Sequence, residues 1–339
     1  MNGSQLTRSL LPFPNLDSQT HRIAILCGFS SGGLPSAVHD VNHLTRFCQT
    51  SLKMENENIH AYVETQSDAN ALIHDISDVQ IHVPLTSNEL INELSTLLTN
   101  LDAQATSLKE PVDILMCISS HGYATSRSRS GGQEMIYFRG GLIKDSDLRQ
   151  RLVNVVSSSF VRLFILVDTC CSGTMLNLPY VTRDGKTEVL EESLDGIKGE
   201  AIVWQQSACA ENQSSMDDLS NMGFDGSLVA SFIDAWTSSL SVLDLYHLTR
   251  ARLAIGSQIS VLSCNHPGLC VPQQSRSLTD RVEKRKEREL TVYHFQNQQE
   301  SQEQAFTRIQ RARNASSEKV VLVILFTFLF LYTLSKIMI

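Results

Sequence analysis

Two stretches of this chain, Val112–Ser119 (VDILMCIS) and 161–167 (VRLFILV), are apolar almost throughout and lack the polar–apolar alternation of a half-solvated strand. Both faces of such a strand have to be covered, which is the condition of a strand inside a parallel sheet. His21–Gly28 (HRIAILCG) reads the same way, and Ile59–Val63, 201–207 and 258–263 are further strands. Helical spacing runs through 37–52, at Val38, Val41, Leu44, Thr45 and Cys48. It is clearest in 87–101, where Leu90, Ile91, Leu94, Leu97, Leu98 and Leu101 share a face behind Ser87 as N-cap. A hairpin (135–138 with 142–143) and helices over 145–156, 227–236 and 242–255 complete the order. Strands alternating with helices give an α/β fold: a three-layer sandwich around a mostly parallel central sheet.

Two of the apolar strands run into reactive residues. Val112–Ser119 leads to Ser120-His121-Gly122, and 161–167 leads to Asp168-Thr169-Cys170-Cys171-Ser172-Gly173. Ligands of open α/β sheets bind beyond the carboxyl ends of strands, so neighbouring strands would deliver His121 and Cys170 to one crevice. A thiolate is a strong nucleophile, and a nearby imidazole lowers the thiol pKa or takes its proton. The N–H groups of Gly122 and Cys170 could form an oxyanion hole, worth about 2.7–4 kcal/mol per donor. Cys171 is the alternative nucleophile, but successive residues leaving a strand point to different sides. Asp168, two residues before the thiol, would oppose its ionisation. Its presence makes sense if it faces a cationic substrate side chain; otherwise it caps a turn.

These motifs resemble those of the metacaspases, type I in particular, within the clan of caspase-like cysteine peptidases. The resemblance spans roughly 23–267. It rests on ISSHG at 118–122, DTCCSG at 168–173 with the following TMLNLPY, SACAENQSSMD at 207–217 and GSLVASFIDAW at 226–236. His121 precedes Cys170 by 49 residues, close to the caspase spacing of about 50. The family usually has histidine where Cys171 stands. The resemblance implies a caspase-like fold and a cysteine endopeptidase working through a Cys170–His121 dyad and a thioester acyl-enzyme. It also implies an S1 pocket lined by Asp40, Asp168, Ser119 and Ala37, the last replacing a usual cysteine. Two carboxylates in one pocket favour Arg or Lys at P1, because charge-assisted pairs are the strong ones.

Many metacaspases need calcium, held by aspartates in the loop after the histidine. Here 124–139 contains Arg127, Arg129 and Arg139 and only Glu134, and although Asp145 matches one ligand, Ser146 and Asn177 replace others. A hard cation wants several carboxylates, so weak calcium dependence or none is expected: the resemblance allows calcium but its ligand positions are largely replaced, and no other metal or cofactor is expected. Arg183 and Lys186, in a polar and exposed linker, are candidate self-cleavage sites with the same basic P1.

A net charge of −8 argues against a nucleic-acid partner. Eight cysteines in 339 residues do not resemble a disulfide framework, which suits a reducing compartment. A metal clip of Cys264 and Cys270 around His266 lacks a second Cys/His pair. The 320–334 segment (VVLVILFTFLFLYTL) has the composition of a membrane span. Arg308, Arg311, Arg313 and Lys319 before it, with no signal peptide, put the main body in the cytosol as a tail-anchored protein. The expected organisation is an extension (1–20), a peptidase domain (21–270), a polar stalk (271–319) and the anchor (320–339). Within the domain, 21–180 is p20-like, 181–199 a linker and 200–270 p10-like. The expected partners are peptide or protein substrates and the membrane, and the resemblance favours a monomer. Two alternatives remain: a membrane-tethered pseudoenzyme or adaptor, and a glycolipid-anchor transamidase, which would need a signal peptide.

Overall fold

The computed structural model describes residues 20–266 apart from 32, 76–77, 126–132, 140, 184–185, 191–192, 194–198, 211–212, 214–226, 237–241 and 254–257. The N-terminal extension up to residue 19, the stalk and the 320–339 segment lie outside the described residues. Among the described residues, no helix is long and apolar enough to cross a membrane.

The chain begins with β1 (His21–Gly28), α1 (Ser36–Thr50), β2 (Ile59–Val63), α2 (Gln66–Asp75), β3 (Gln80–His82) and α3 (Ser87–Leu108). It continues with β4 (Val112–Ser119), a small sheet of β5 (Gly122–Ala124), β6 (Glu134–Phe138) and β7 (Gly141–Lys144), and α4 (Asp145–Leu148), which passes into a π-helical turn. The last elements are β8 (Val161–Asp168), β9 (Tyr180–Arg183), β10 (Lys186–Val189), β11 (Ile202–Ser207), α5 (Ser227–Ala235), α6 (Val242–Leu253) and β12 (Val261–Cys264). The nine-stranded sheet has the order β10-β9-β12-β11-β8-β4-β1-β2-β3. From β3 to β11 all pairs are parallel; β12, β9 and β10 add antiparallel pairs.

The apolar strands are covered on both sides, as their composition demands. In β4, Leu115 and Cys117 join the layer of Leu44 and Phe47 from α1 and Phe232 from α5. Its alternate residues Ile114, Met116 and Ile118 face Leu90, Leu94 and Leu98 of α3. Each fully buried residue of this kind contributes about 1.5–3 kcal/mol of transfer free energy. The lone acid of β4, Asp113, sits opposite Arg162 of β8, whose Nε donates to Asp113 Oδ1 at 2.6 Å. Burial nevertheless pushes the Asp113 carboxyl up to about 6, with Arg162 and Arg22 opposing.

Three details differ from the sequence reading. The N-cap of α3 is Thr86, whose side chain accepts from the Glu89 N–H, and the helix runs on to Leu108. The last strand covers Val261–Cys264 rather than 258–263. Residues expected as an exposed linker instead carry the β9–β10 hairpin, with Val181 and Thr182 buried.

The chain starts at β1, builds outward through β2 and β3, and then returns to lay β4 on the other side of β1. That reversal opens a crevice at the carboxyl ends of β1 and β4. Gly28 pairs with Ser119 and Ser119 with Asp168, so β1, β4 and β8 end flush.

Candidate active site

His121 and Cys170 each follow these aligned ends by two residues, His121 after Ser119 and Cys170 after Asp168. The two loops touch. A Cβ added to Gly122 would run into the Cys170 carbonyl oxygen and lie 2.8 Å from Thr169 Oγ1. The Ser120 N–H donates to the Asp168 carbonyl at 3.2 Å, tying the loops at their base. On the other side, the Tyr137 N–H donates to the His121 carbonyl and Ser120 Oγ to the Tyr137 carbonyl, so β6 buttresses the histidine loop.

Six cysteines are free thiols among the described residues, and Cys264 is disulfide-bonded. Burial pushes Cys27, Cys48 and Cys117 far above the usual thiol range and Cys209 up to about 12. Those thiols are inert core groups. Cys170 and Cys171 are the two half-exposed ones. Cys171 takes a left-handed backbone (φ 52°) and donates its N–H to the Gln213 carbonyl, which turns the chain sharply just after Cys170.

Buried polar groups hold this turn and the loops beside it; sequence reasoning missed Gln205 and Glu64 and read Glu134 only as a lone acid. Gln205 of β11 donates from Nε2 to the Ser172 carbonyl and accepts from the Leu176 N–H, both at 2.9 Å. Glu134, 2% exposed, accepts from the backbone N–H and the hydroxyl of Thr174. Glu64, fully buried, accepts from the Ser31 N–H, Ser31 Oγ and the Arg139 N–H at 2.5–2.6 Å. It thereby joins the loop after β1 to the turn between β6 and β7. Their only sequence signal was a charge or amide at the rim of an apolar run.

The four residues assigned to S1 by resemblance collect at the same end of the sheet. Ser119 Oγ donates to Asp40 Oδ2 at 2.6 Å, with both residues buried, and Ala37 lies one helical turn before Asp40. Asp168 is the register partner of Ser119. Asp40 comes from α1 and Asp168 bonds to α5, two helices packed in one layer of the core, so both carboxylates lie on that side of the sheet. Asp168 Oδ2 also accepts from the N–H groups of Leu228 and Val229 in the first turn of α5. The helix dipole stabilises a carboxylate there.

Arg183 ends β9 and pairs with Lys186 at the start of β10; Lys186 is exposed, and Arg183 half-buried. Glu134 and Asp145 are neighbours, with the Glu134 N–H donating to Asp145 Oδ2, and Asp145 also accepts from the Ser146 N–H. Among the described residues, no three His, Cys, Asp or Glu side chains converge as a metal site.

The caspase domain family model matches residues 21–282. No curated protein matches the chain. Among solved structures, a Geobacter sulfurreducens protein is 15% identical with a TM-score of 0.46, the match covering 75% of this chain and 98% of that one. Caspase-1 from Spodoptera frugiperda is 10% identical with a TM-score of 0.42, covering 74% and 89%.

Proposed function

The chain belongs to the caspase-domain family of cysteine-type peptidases, and on that premise we propose that it is a metacaspase-like endopeptidase cleaving after Arg or Lys. Cys170 is the nucleophile and His121 the base. The His121 imidazole takes the Cys170 proton, and the sulfur attacks the scissile carbonyl. The C–N bond then breaks as the imidazolium protonates the leaving amine, and water hydrolyses the thioester. The N–H groups of Gly122 and Cys170 are the proposed donors to the oxyanion. The observation that carries this reading is the contact of the Gly122 backbone with Cys170 at the flush ends of β4 and β8.

The basic P1 preference is supported by Asp40 and Asp168, two buried carboxylates on the α1/α5 side of the sheet. Asp40 is oriented by Ser119. Lys186 is the more accessible candidate for self-cleavage, because it is exposed on β10 at the end of the sheet whereas its partner Arg183 is half-buried. The apolar 320–334 segment is proposed as a membrane anchor, with the peptidase domain facing the cytosol.

The test is hydrolysis of short peptides differing only at P1 (Arg, Lys, Asp, Asn) by protein truncated before Val320. Cleavage after Arg and Lys is expected, abolished in Cys170→Ala and His121→Ala and retained in Cys171→Ala. Turnover surviving Cys170→Ala, or cleavage after Asp alone, refutes the assignment. An unreactive wild-type Cys170 toward an Arg chloromethyl ketone would mean a scaffold instead.

A further inference from the structure

A second cluster of chemistry lies on the far side of the sheet, where α3 passes over the β2–β3 edge. His60 and Tyr62 of β2 face this side, and His82 of β3 pairs with Tyr62 in register. The His82 ring stacks on Tyr62 at 4.4 Å and 10°, which fixes its plane. His60, 9% exposed, shares a hydrogen bond with His82, Nδ1 to Nε2 at 3.4 Å, whose proton a bound ion would replace. From the opposite wall, Glu93 Oε2 lies 3.9 Å from the other imidazole nitrogen of His82. Glu89 and Asn92 of α3 complete a groove of about 730 Å³ that the dyad does not use. Along the sheet it lies two to three strand spacings from β4, about 10–14 Å at the usual separation.

We propose that this groove is a metal site, in which a divalent transition ion of the zinc–nickel–copper group is bound by His60 Nδ1 and His82 Nε2. The geometry suits it. Two metal–imidazole bonds of about 2.0–2.1 Å at a tetrahedral angle set their nitrogens about 3.4 Å apart, the separation seen here. Imidazole pairs suit this group of ions rather than calcium or magnesium. Glu93 faces His82 Nδ1 at ion-pair rather than hydrogen-bond distance; a proton on Nδ1 turned toward that carboxylate leaves the Nε2 lone pair facing His60. No third His, Cys, Asp or Glu converges with the pair among the described residues, so water completes the coordination. Binding would clamp β3, the three-residue edge strand, to β2.

Co²⁺ titration of the intact chain tests this, because the ion reports its ligands optically. The expected result is a visible d–d spectrum without a thiolate charge-transfer band, displaced by Zn²⁺. Binding should weaken at least ~10-fold in His82→Gln and ~10-fold in Glu93→Gln, where the outer partner alone is lost. Zn²⁺ should also raise the melting temperature of the wild type and not of His82→Gln. Since His60 is buried and its replacement could impair folding, the half-exposed His82 and Glu93 carry the test. Unchanged affinity in His82→Gln, or binding only with a thiolate band, overturns the proposal. Either result leaves the peptidase assignment untouched, because no residue of the groove belongs to the dyad.

Discussion

Adding one methyl group at Gly122 should separate the two catalytic loops without altering any reactive group. In Gly122→Ala the new Cβ collides with the Cys170 carbonyl oxygen and sits 2.8 Å from both the Cys170 carbonyl carbon and Thr169 Oγ1. Restoring ordinary van der Waals separations of about 3.5 Å requires the loops to part by roughly 1 Å or more. Backbone lies on both sides of the clash, so no side chain can swing away to absorb it. A misplacement of ~1 Å at a reacting pair costs on the order of 100-fold in rate, or about 2.7 kcal/mol. The overpacking itself should cost about 1–3 kcal/mol of stability. The assay is kcat/KM on an Arg-P1 peptide, beside thermal melting and iodoacetamide alkylation of Cys170. Gly141→Ala is the control, because its added methyl meets Ser87 Oγ at 3.2 Å and Phe138 O at 3.5 Å, away from the dyad. A Gly122→Ala enzyme that melts cooperatively and keeps kcat/KM within ~3-fold of wild type would refute the close-approach argument.

Three further outcomes are expected. Asp40→Asn can still accept from Ser119 Oγ but loses its charge, so activity on Arg-P1 peptides should fall ~10-fold or more while thermal melting changes little; an unchanged P1 profile would remove Asp40 from the pocket. Chelator should leave activity of the soluble domain largely intact, because the carboxylates of Glu134 and Asp145 are engaged with Thr174, Ser146 and the Glu134 N–H; loss of activity restored by millimolar calcium would contradict this. The Asp113 carboxyl sits at about 6 in the fold against an ordinary 3.8, so its protonated form is favoured on folding. Its contribution to stability is full below the unfolded pKa and is lost as pH rises through 6. Wild type minus Asp113→Asn stability, from urea melts, should therefore fall by about 3 kcal/mol between pH 3.5 and 7, and a flat difference would refute the shift.

The inner strands were legible because burial on both faces leaves no room for polar alternation, and β1, β4 and β8 therefore announce themselves in sequence. The edge of the sheet did not. β3 is three residues long and half-exposed, too short for any periodicity to show. β9 and β10 are polar (YVTR, KTEV) and are strands through their antiparallel pairing with β12 and with each other, a tertiary cause with no local trace. Of α3, the apolar face was visible but its start was not. Thr86 and Ser87 are equally good caps, and the choice falls to the residue whose hydroxyl reaches the Glu89 N–H.

The reactive residues were legible for a different reason: they sit where apolar runs stop, and a parallel sheet puts its strand ends side by side. What sequence left open was the meaning of Asp168. A carboxylate two residues from a nucleophilic thiol had two explanations, a substrate cation or a turn cap. The fold shows that they are not exclusive. One oxygen of Asp168 accepts from two amides of α5, which fixes the side chain and offsets its cost to the neighbouring thiol through the helix dipole. The same bonds tie the end of β8, and with it the Cys170 turn, to α5. Removing the charge at Asp168 would therefore confound P1 recognition with loop anchoring, whereas Asp40, which accepts from Ser119 Oγ of β4 and sits on α1 away from the Cys170 turn, separates them. The weight of the specificity argument belongs on Asp40.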